Sequence, residues 1–296
     1  MIKFKKAIAV MLSAVMMLTA GSMPITVNAA TVESDSVGFS VCGDFVYGVV
    51  DDSQYHSPGA FIYGYTGTDT EIVIPSEING IPVTAISCED VFSTSVTSIQ
   101  LPDTLEFLDA YAFRGCRSLK SIVIPDSVTT IREYAFAGCS SAESLIIGKG
   151  ISYLDNNVFA GCESLKEVEI PDNITRINSN AFVSCTGLKK VKIPRSVTSI
   201  AYNAFENHSD DLVIECYLNS AAHKFAVNNY VKFELHYLMG DIDLDGVVTI
   251  QDVTLMQRYC ADEIEAPEVP LNCVDVDGNK SVDINDATAI QRLLVE

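Results

Sequence analysis

Between Thr97 and His208 the chain repeats nearly the same 23-residue phrase five times, and this period restricts the fold more than any other property of the sequence. The clearest copy runs Lys120, Ser121, Ile122, Val123, Ile124, Pro125, then Val128, Ile131, Ala135, Phe136, Gly138 and Cys139. Steps of 23 carry Phe113 to Phe136, Phe159, Phe182 and Phe205, and Cys116 to Cys139, Cys162 and Cys185. A fixed period of this length belongs to a solenoid, in which each coil covers the apolar face of its neighbour and none is stable alone. Within each coil, β-branched residues alternate just before a Pro, as at Ile122 and Ile124 or Val168 and Ile170, which predicts a short strand that the Pro ends. One such strand per coil stacks into a parallel sheet. The Phe column reads as core, one ring filling the interior of each coil.

Two departures from the pattern carry expectations. The third coil has Gly148, Lys149 and Gly150 where others have Pro and Asp, and Val158 in place of Ala, which should loosen it locally. Upstream, Glu71 to Pro75 and Asn79 to Ile86 form an irregular entry coil, and Val41 to Tyr65 reads as short strands capping it. Downstream, Leu212–Ile214, a short helix from Asn219 to Ala226 and a last strand, Val231–Leu235, close the stack.

The pattern Leu119, Ile122, Ile124, Pro125, Val128, Ile131, Ala135, Phe136, Cys139 resembles the 23-residue bacterial leucine-rich repeats of the BspA and Treponema type, over about Phe61 to Leu235. That resemblance implies a surface or secreted binding protein whose repeats themselves carry no chemistry.

The first 29 residues read as an export signal: Lys3, Lys5 and Lys6, an apolar run from Ala7 to Leu18, and the small-residue site Val27-Asn28-Ala29. No later stretch is long and uncharged enough for a membrane span. Of the nine Cys, four share one repeat column, which favours buried thiols over disulfides; Cys42, Cys88, Cys216, Cys260 and Cys273 are left open. The formal charge is −20, becoming −23 once the three signal lysines are removed, and this argues against nucleic acid as a partner.

The acidity concentrates between Met239 and Glu296, where thirteen Asp and Glu face Arg258, Lys280 and Arg292. With Asp241 as position 1, oxygen side chains fall at 1, 3, 5, 9 and 12 (Asp241, Asp243, Asp245, Thr249, Asp252), Gly246 is at 6 and the Val247 carbonyl at 7. These are the ligand offsets of a twelve-residue EF-hand loop, which wraps a calcium ion in oxygens. Thirty-four residues later the series returns as Asp275, Asp277, Asn279, the Ser281 carbonyl, Asp283 and Asp286. Two calcium sites are therefore expected, the second weaker because Lys280 stands at position 6, where a left-handed backbone suits Gly. Helical segments Val253–Tyr259 and Ala287–Leu294 follow the loops, and each contains a Gln-Arg pair. Metal binding should supply much of this segment's folding free energy.

An extended entry to the first loop and Asp at position 12 are departures shared with the type I dockerins, which Met239 to Glu296 closely resembles. The resemblance implies a small all-α domain, a duplicated calcium loop and helix, that plugs exported proteins into cohesin domains of a scaffoldin, as in the cellulosome of plant-fibre-degrading anaerobes. It further implies two near-equivalent cohesin-binding faces, Ile250, Gln251, Gln257 and Arg258 on one and Ile284, Asn285, Gln291 and Arg292 on the other.

No catalytic constellation is visible. His56, His208, His223 and His236 lack metal-ligand spacing and accompany no nucleophile motif, and there is no Trp to grip sugar rings. On the sheet face, Ser121, Val123, Ser144 and Ile146 form a weakly polar patch suited to a protein or peptide ligand. The sequence thus divides into a signal (1–29), capping strands (30–70), a leucine-rich-repeat solenoid (71–235) and a dockerin (239–296). This describes a secreted, non-catalytic interaction protein held at the bacterial cell surface by a calcium-dependent dockerin. A glycoside hydrolase with an unrecognised acid pair and a cell-surface adhesin remain the alternatives.

Overall fold

The computed structural model describes residues 39–50, 57–87, 92, 94–244, 246–265 and 269–295. The signal segment, Cys88, Asp245, Pro267 and Glu296 lie outside the described residues. The chain forms two compact units: the first comprises the residues up to Val191 together with Ser199–Leu212, the second Lys192–Thr198 together with the residues from Val213 onward.

The first unit is the stacked parallel solenoid. Phe39–Cys42, Phe45–Val50 and Gly59–Tyr65 make an antiparallel meander, and the last of these pairs in parallel with Ile81–Ile86, which starts the stack. Register then follows the period. Thr130 pairs with Phe107, Ser144 with Ser121 and Arg176 with Tyr153, each exactly one 23-residue repeat apart. The entry coil is irregular at the same positions, with Glu71 paired to Ser98 and Ala85 to Phe107. Three-residue strands bury their central residue, as in exposed Ser144, buried Leu145 and exposed Ile146, except Ser98–Gln100, where Ile99 is half-buried. Period-2 alternation thus puts one apolar side chain inward per strand.

Inside, the Phe column forms a continuous ring stack, with centroids 5.0 Å apart for Phe113–Phe136, 5.9 Å for Phe136–Phe159, 5.4 Å for Phe159–Phe182 and 5.2 Å for Phe182–Phe205. Phe92 joins it at 5.0 Å from Phe113. It lies 21 residues upstream, so the repeat column misses it.

The Cys column has its own bonding logic. Cys139 Sγ donates to the Phe113 carbonyl at 3.3 Å, Cys162 to Phe136 at 3.5 Å and Cys185 to Phe159 at 3.2 Å. A thiol is small and apolar enough for the core and still satisfies one carbonyl of the coil before it. The eight described cysteines are free thiols. Burial raises the Cys139 and Cys162 thiols above their ordinary pKa and pushes Cys185 up to about 12. In the unfolded chain these thiols ionise near about 8.5, so their contribution to stability is full below that pH and is lost as pH rises toward about 12. The urea midpoint is therefore expected to fall between neutral and strongly alkaline pH, and Cys162→Ala should weaken that dependence. An identical pH slope in variant and parent would refute this account of the column.

The third coil is not loosened. A Cβ at Gly148 would collide with the Pro125 carbonyl, and one at Gly150 with the carbonyls of Asp126 and Val128. The backbone of this coil presses directly on the one before it, and the Lys149 N–H donates to Asp126 Oδ1 at 2.8 Å. The glycines permit closeness, where the sequence suggested slack.

In the second unit, Val213–Tyr217 and Lys232–His236 pair in parallel across helix α1 (Ala221–Asn228), whose first turn is capped by Ser220 accepting the His223 N–H. Beyond them come α2 (Ile250–Cys260), the short α3 (Leu271–Val274) and α4 (Ile284–Leu293). Ile242, Val253, Met256, Val274, Ala287 and Ile290 form their common core.

Candidate metal centre and docking faces

Each acidic loop is tied off by the aspartate at its twelfth position. Asp252 Oδ1 accepts the backbone N–H groups of Ile242 (2.7 Å) and Asp243 (3.2 Å), and its Oδ2 accepts that of Thr249 (2.7 Å). Asp286 repeats this with Val276 (2.7 Å), Asp277 (3.1 Å) and Asp283 (2.8 Å). Both carboxylates are wholly buried. One side chain therefore joins the start of the loop to its end, and three backbone donors hold it in place.

The same two residues are N3 of a helix capping box. Thr249 caps α2 and Asp283 caps α4, and in each helix the N3 aspartate bonds back to the cap N–H. Ligand positions 9 and 12 are thus the N-cap and N3 of the helix that follows, and the helix start pre-places both. This moves the helix starts to Ile250 and Ile284, three residues before the Val253 and Ala287 read from the sequence. The apolar pattern begins later than the hydrogen-bonded turn.

In the first loop, carboxylate oxygens of Asp241, Asp243 and Asp252 lie within 4.8 Å of one another, and in the second those of Asp275, Asp277 and Asp286 do the same. Asp241 is wholly buried, and Asp275 Oδ1 is a buried oxygen that accepts no hydrogen bond. A buried carboxylate oxygen without a donor is costly, and a hard cation supplies what it lacks. The donor set is all oxygen, so the residues present fit calcium. Of the other candidate ligands, Asn279 Oδ1 accepts the Ser281 N–H at 2.7 Å and its Nδ2 donates to Asp277 Oδ2 at 2.8 Å, while Val247 and Ser281 stand exposed. Asp245, the fifth position of the first loop, is outside the described residues.

Among the described residues of the loops, left-handed backbone occurs at Leu244 (φ 60°) and Gly246 (φ 92°) in the first and at Gly278 (φ 74°) and Lys280 (φ 70°) in the second. Among these residues each loop therefore has one glycine and one strained side chain. Lys280 by itself does not make the second loop the less favourable one, because Leu244 imposes a comparable cost on the first.

Sequence reasoning missed Arg195. It belongs to the second unit, where its Nη2 approaches Asp241 Oδ2 at 3.4 Å and its guanidinium lies 4.7 Å from the centre of the Tyr217 ring. A signal was available. At the same repeat position the earlier coils carry Asp103, Asp126, Lys149 and Asp172, so an acid of the pattern is replaced by a base.

The residues expected at a partner surface all face solvent. Ile250 is 59% exposed and Ile284 54%, and Gln251, Gln257, Arg258, Asn285, Gln291 and Arg292 are exposed beside them. Arg258 also pairs with Glu263 at 3.4 Å, an exposed contact of little energetic weight. On the solenoid, Ser121 and Val123 lie directly opposite Ser144 and Ile146 in the parallel ladder, with Val123 47% and Ile146 60% exposed.

A parallel solenoid of short coils, followed by paired acidic loops each running into a helix, defines a repeat scaffold joined to an EF-hand-like module. Family models match residues 84–210 as a BspA type leucine rich repeat region in six copies and residues 239–295 as a dockerin type I domain. The chain therefore carries a BspA-type leucine-rich repeat region and a type I dockerin domain. Six copies is one more than the five regular repeats between Thr97 and His208, because the matched region begins in the irregular entry coil.

Among solved structures, the Treponema pallidum leucine rich repeat protein TpLRR is 24% identical, with a TM-score of 0.48 over 64% of this chain and 95% of its own. A leucine-rich repeat protein from Bacteroides ovatus is 29% identical (TM-score 0.42, 49% of this chain and 37% of its own). One from Eubacterium ventriosum is 20% identical (TM-score 0.44, 58% and 50%). No curated protein matches. Leucine-rich repeat and dockerin domains are non-catalytic, and both are typical of extracellular bacterial proteins. No helix among the described residues is long and apolar enough to cross a membrane.

Proposed function

We propose that this is a secreted, non-catalytic interaction protein, exported by a cleaved signal (1–29), whose calcium-dependent dockerin (239–296) attaches a leucine-rich-repeat binding module (71–235, capped by 30–70) to a cohesin-bearing scaffoldin. The setting is a plant-polysaccharide-degrading complex of the cellulosome type at the bacterial cell surface. The observation that carries this reading is the duplicated loop, in which Asp252 and Asp286 hold two like sets of carboxylates at the starts of α2 and α4 within a dockerin-family segment. Two like loops, each followed by an exposed helix surface, supply two alternative faces for one partner. The solenoid contributes the cargo side, and Val123 and Ile146 on its sheet face are where a protein or peptide ligand would be held.

The test is a pull-down of the full chain on a panel of cohesin domains, with and without calcium. Retention on at least one cohesin that is lost with chelator is expected. No retention on any cohesin in calcium would overturn the scaffold assignment, and retention indifferent to chelator would overturn the metal dependence. Doubly substituted Arg258→Ala and Arg292→Ala protein is expected to bind at least tenfold more weakly than either single variant, since one intact face suffices.

A further inference from the structure

The two loops are duplicates in sequence and in internal hydrogen bonding, yet their first ligands have different partners. Asp275 Oδ2 accepts the Lys280 backbone N–H at 2.9 Å, a bond made within the loop. Asp241 Oδ2 meets the guanidinium of Arg195, from 46 residues earlier in the chain. The contact is built on several sides. Asp241 is 0% exposed and the Arg195 side chain 25%, so the pair is largely withdrawn from water. The Tyr217 ring lies 4.7 Å from the guanidinium carbon, a cation–π platform that holds the cation over the loop. Gly246 leaves the room: a Cβ at that position would fall on the guanidinium itself. In the second loop that sixth position is Lys280, which carries a side chain where the first loop has none.

We propose that Arg195 acts as an internal counter-cation of the first loop, so that calcium must compete with the guanidinium for Asp241, and the first site is held weaker than it would otherwise be. A guanidinium on Asp241 Oδ2 repels a divalent ion brought to the same carboxylate, the more so in a partly desolvated site. The pairing also stabilises the loop before the ion arrives, since it sets a cation against a wholly buried carboxylate. Both effects have the same sign: removing Arg195 disfavours the ion-free loop and relieves repulsion in the loaded one. The proposal rests on the calcium reading of the loops and adds that a residue outside the dockerin-matched segment sets the affinity of one of them.

The experiment is isothermal titration of the full chain with calcium, comparing the parent with Arg195→Gln, Arg195→Lys and Tyr217→Leu. Each is also made in an Asp277→Ala background, which disables the second loop and leaves the first to be read alone. Arg195→Gln is expected to tighten the first site about tenfold, leave the second unchanged, and lower the melting temperature without calcium more than with it. Tyr217→Leu should shift the first site the same way by less, and Arg195→Lys, which keeps the charge, should stay near the parent. Equal or weaker first-site affinity in Arg195→Gln, with the parent still binding two ions, overturns the proposal and leaves the calcium reading standing. A parent chain that binds no calcium overturns both.

Discussion

Replacing Phe159 with alanine is expected to destabilise the solenoid by about 3–5 kcal/mol and to lower its melting temperature by roughly 10 °C. Phe159 is wholly buried and its ring is stacked on both sides, 5.9 Å from Phe136 and 5.4 Å from Phe182. Truncation removes the transfer free energy of the ring, leaves a cavity that a one-dimensional stack cannot close without shifting a whole coil, and deletes two ring pairs of about 0.5–1.5 kcal/mol each. The solenoid's coils depend on their neighbours, so the loss should appear as a shift of the entire transition. Val123→Ala, on the exposed sheet face, is the control and should stay within about 0.5 kcal/mol of the parent. Urea unfolding followed by circular dichroism measures both, and a Phe159→Ala loss below about 1 kcal/mol would mean that the rings are not the core of the stack.

Asp252→Ala should be as damaging to the second unit. It leaves the N–H groups of Ile242, Asp243 and Thr249 without their acceptor, opens the capping box of α2 and removes a carboxylate from the first cluster. Loss of one of two calcium equivalents is expected, together with about 3 kcal/mol or more of stability for this module. Because ion binding favours only the folded loop, excess chelator should have a related effect on the parent, melting the α2–α4 region while the solenoid transition persists. Calorimetry and circular dichroism melts with and without chelator decide it. A melt indifferent to both chelator and Asp252→Ala would sink the view that these loops are folded by their ion.

Much of the solenoid was legible because its physics is periodic. Residues one repeat apart must stack, so the 23-residue spacing of Phe113 to Phe205 already contains the parallel register later seen between Ser121 and Ser144. Phe92 falls outside that spacing and takes its place in the stack through an irregular coil. At Gly148 and Gly150 the absence of a side chain reads as slack in one dimension, but here it admits a carbonyl from the coil below. In the acidic loops, ligand spacing was plain from the order of aspartates, whereas the second role of Asp252 and Asp286 as helix N3 residues was hidden by the late onset of the apolar pattern. Leu244 was likewise silent, since nothing in a leucine announces a left-handed backbone.

The sequence by itself determined the coil, its period and the two sets of carboxylates, because each is a matter of local spacing that backbone geometry converts directly into position. Only the tertiary structure decided that Arg195 stands over Gly246 and against Asp241. A contact across 46 residues is selected by which side chains meet when the elements pack, and no local period encodes it. The substitution of Arg for the Asp of earlier coils was present to be read, but its meaning depended on a charge that folding alone brings within reach.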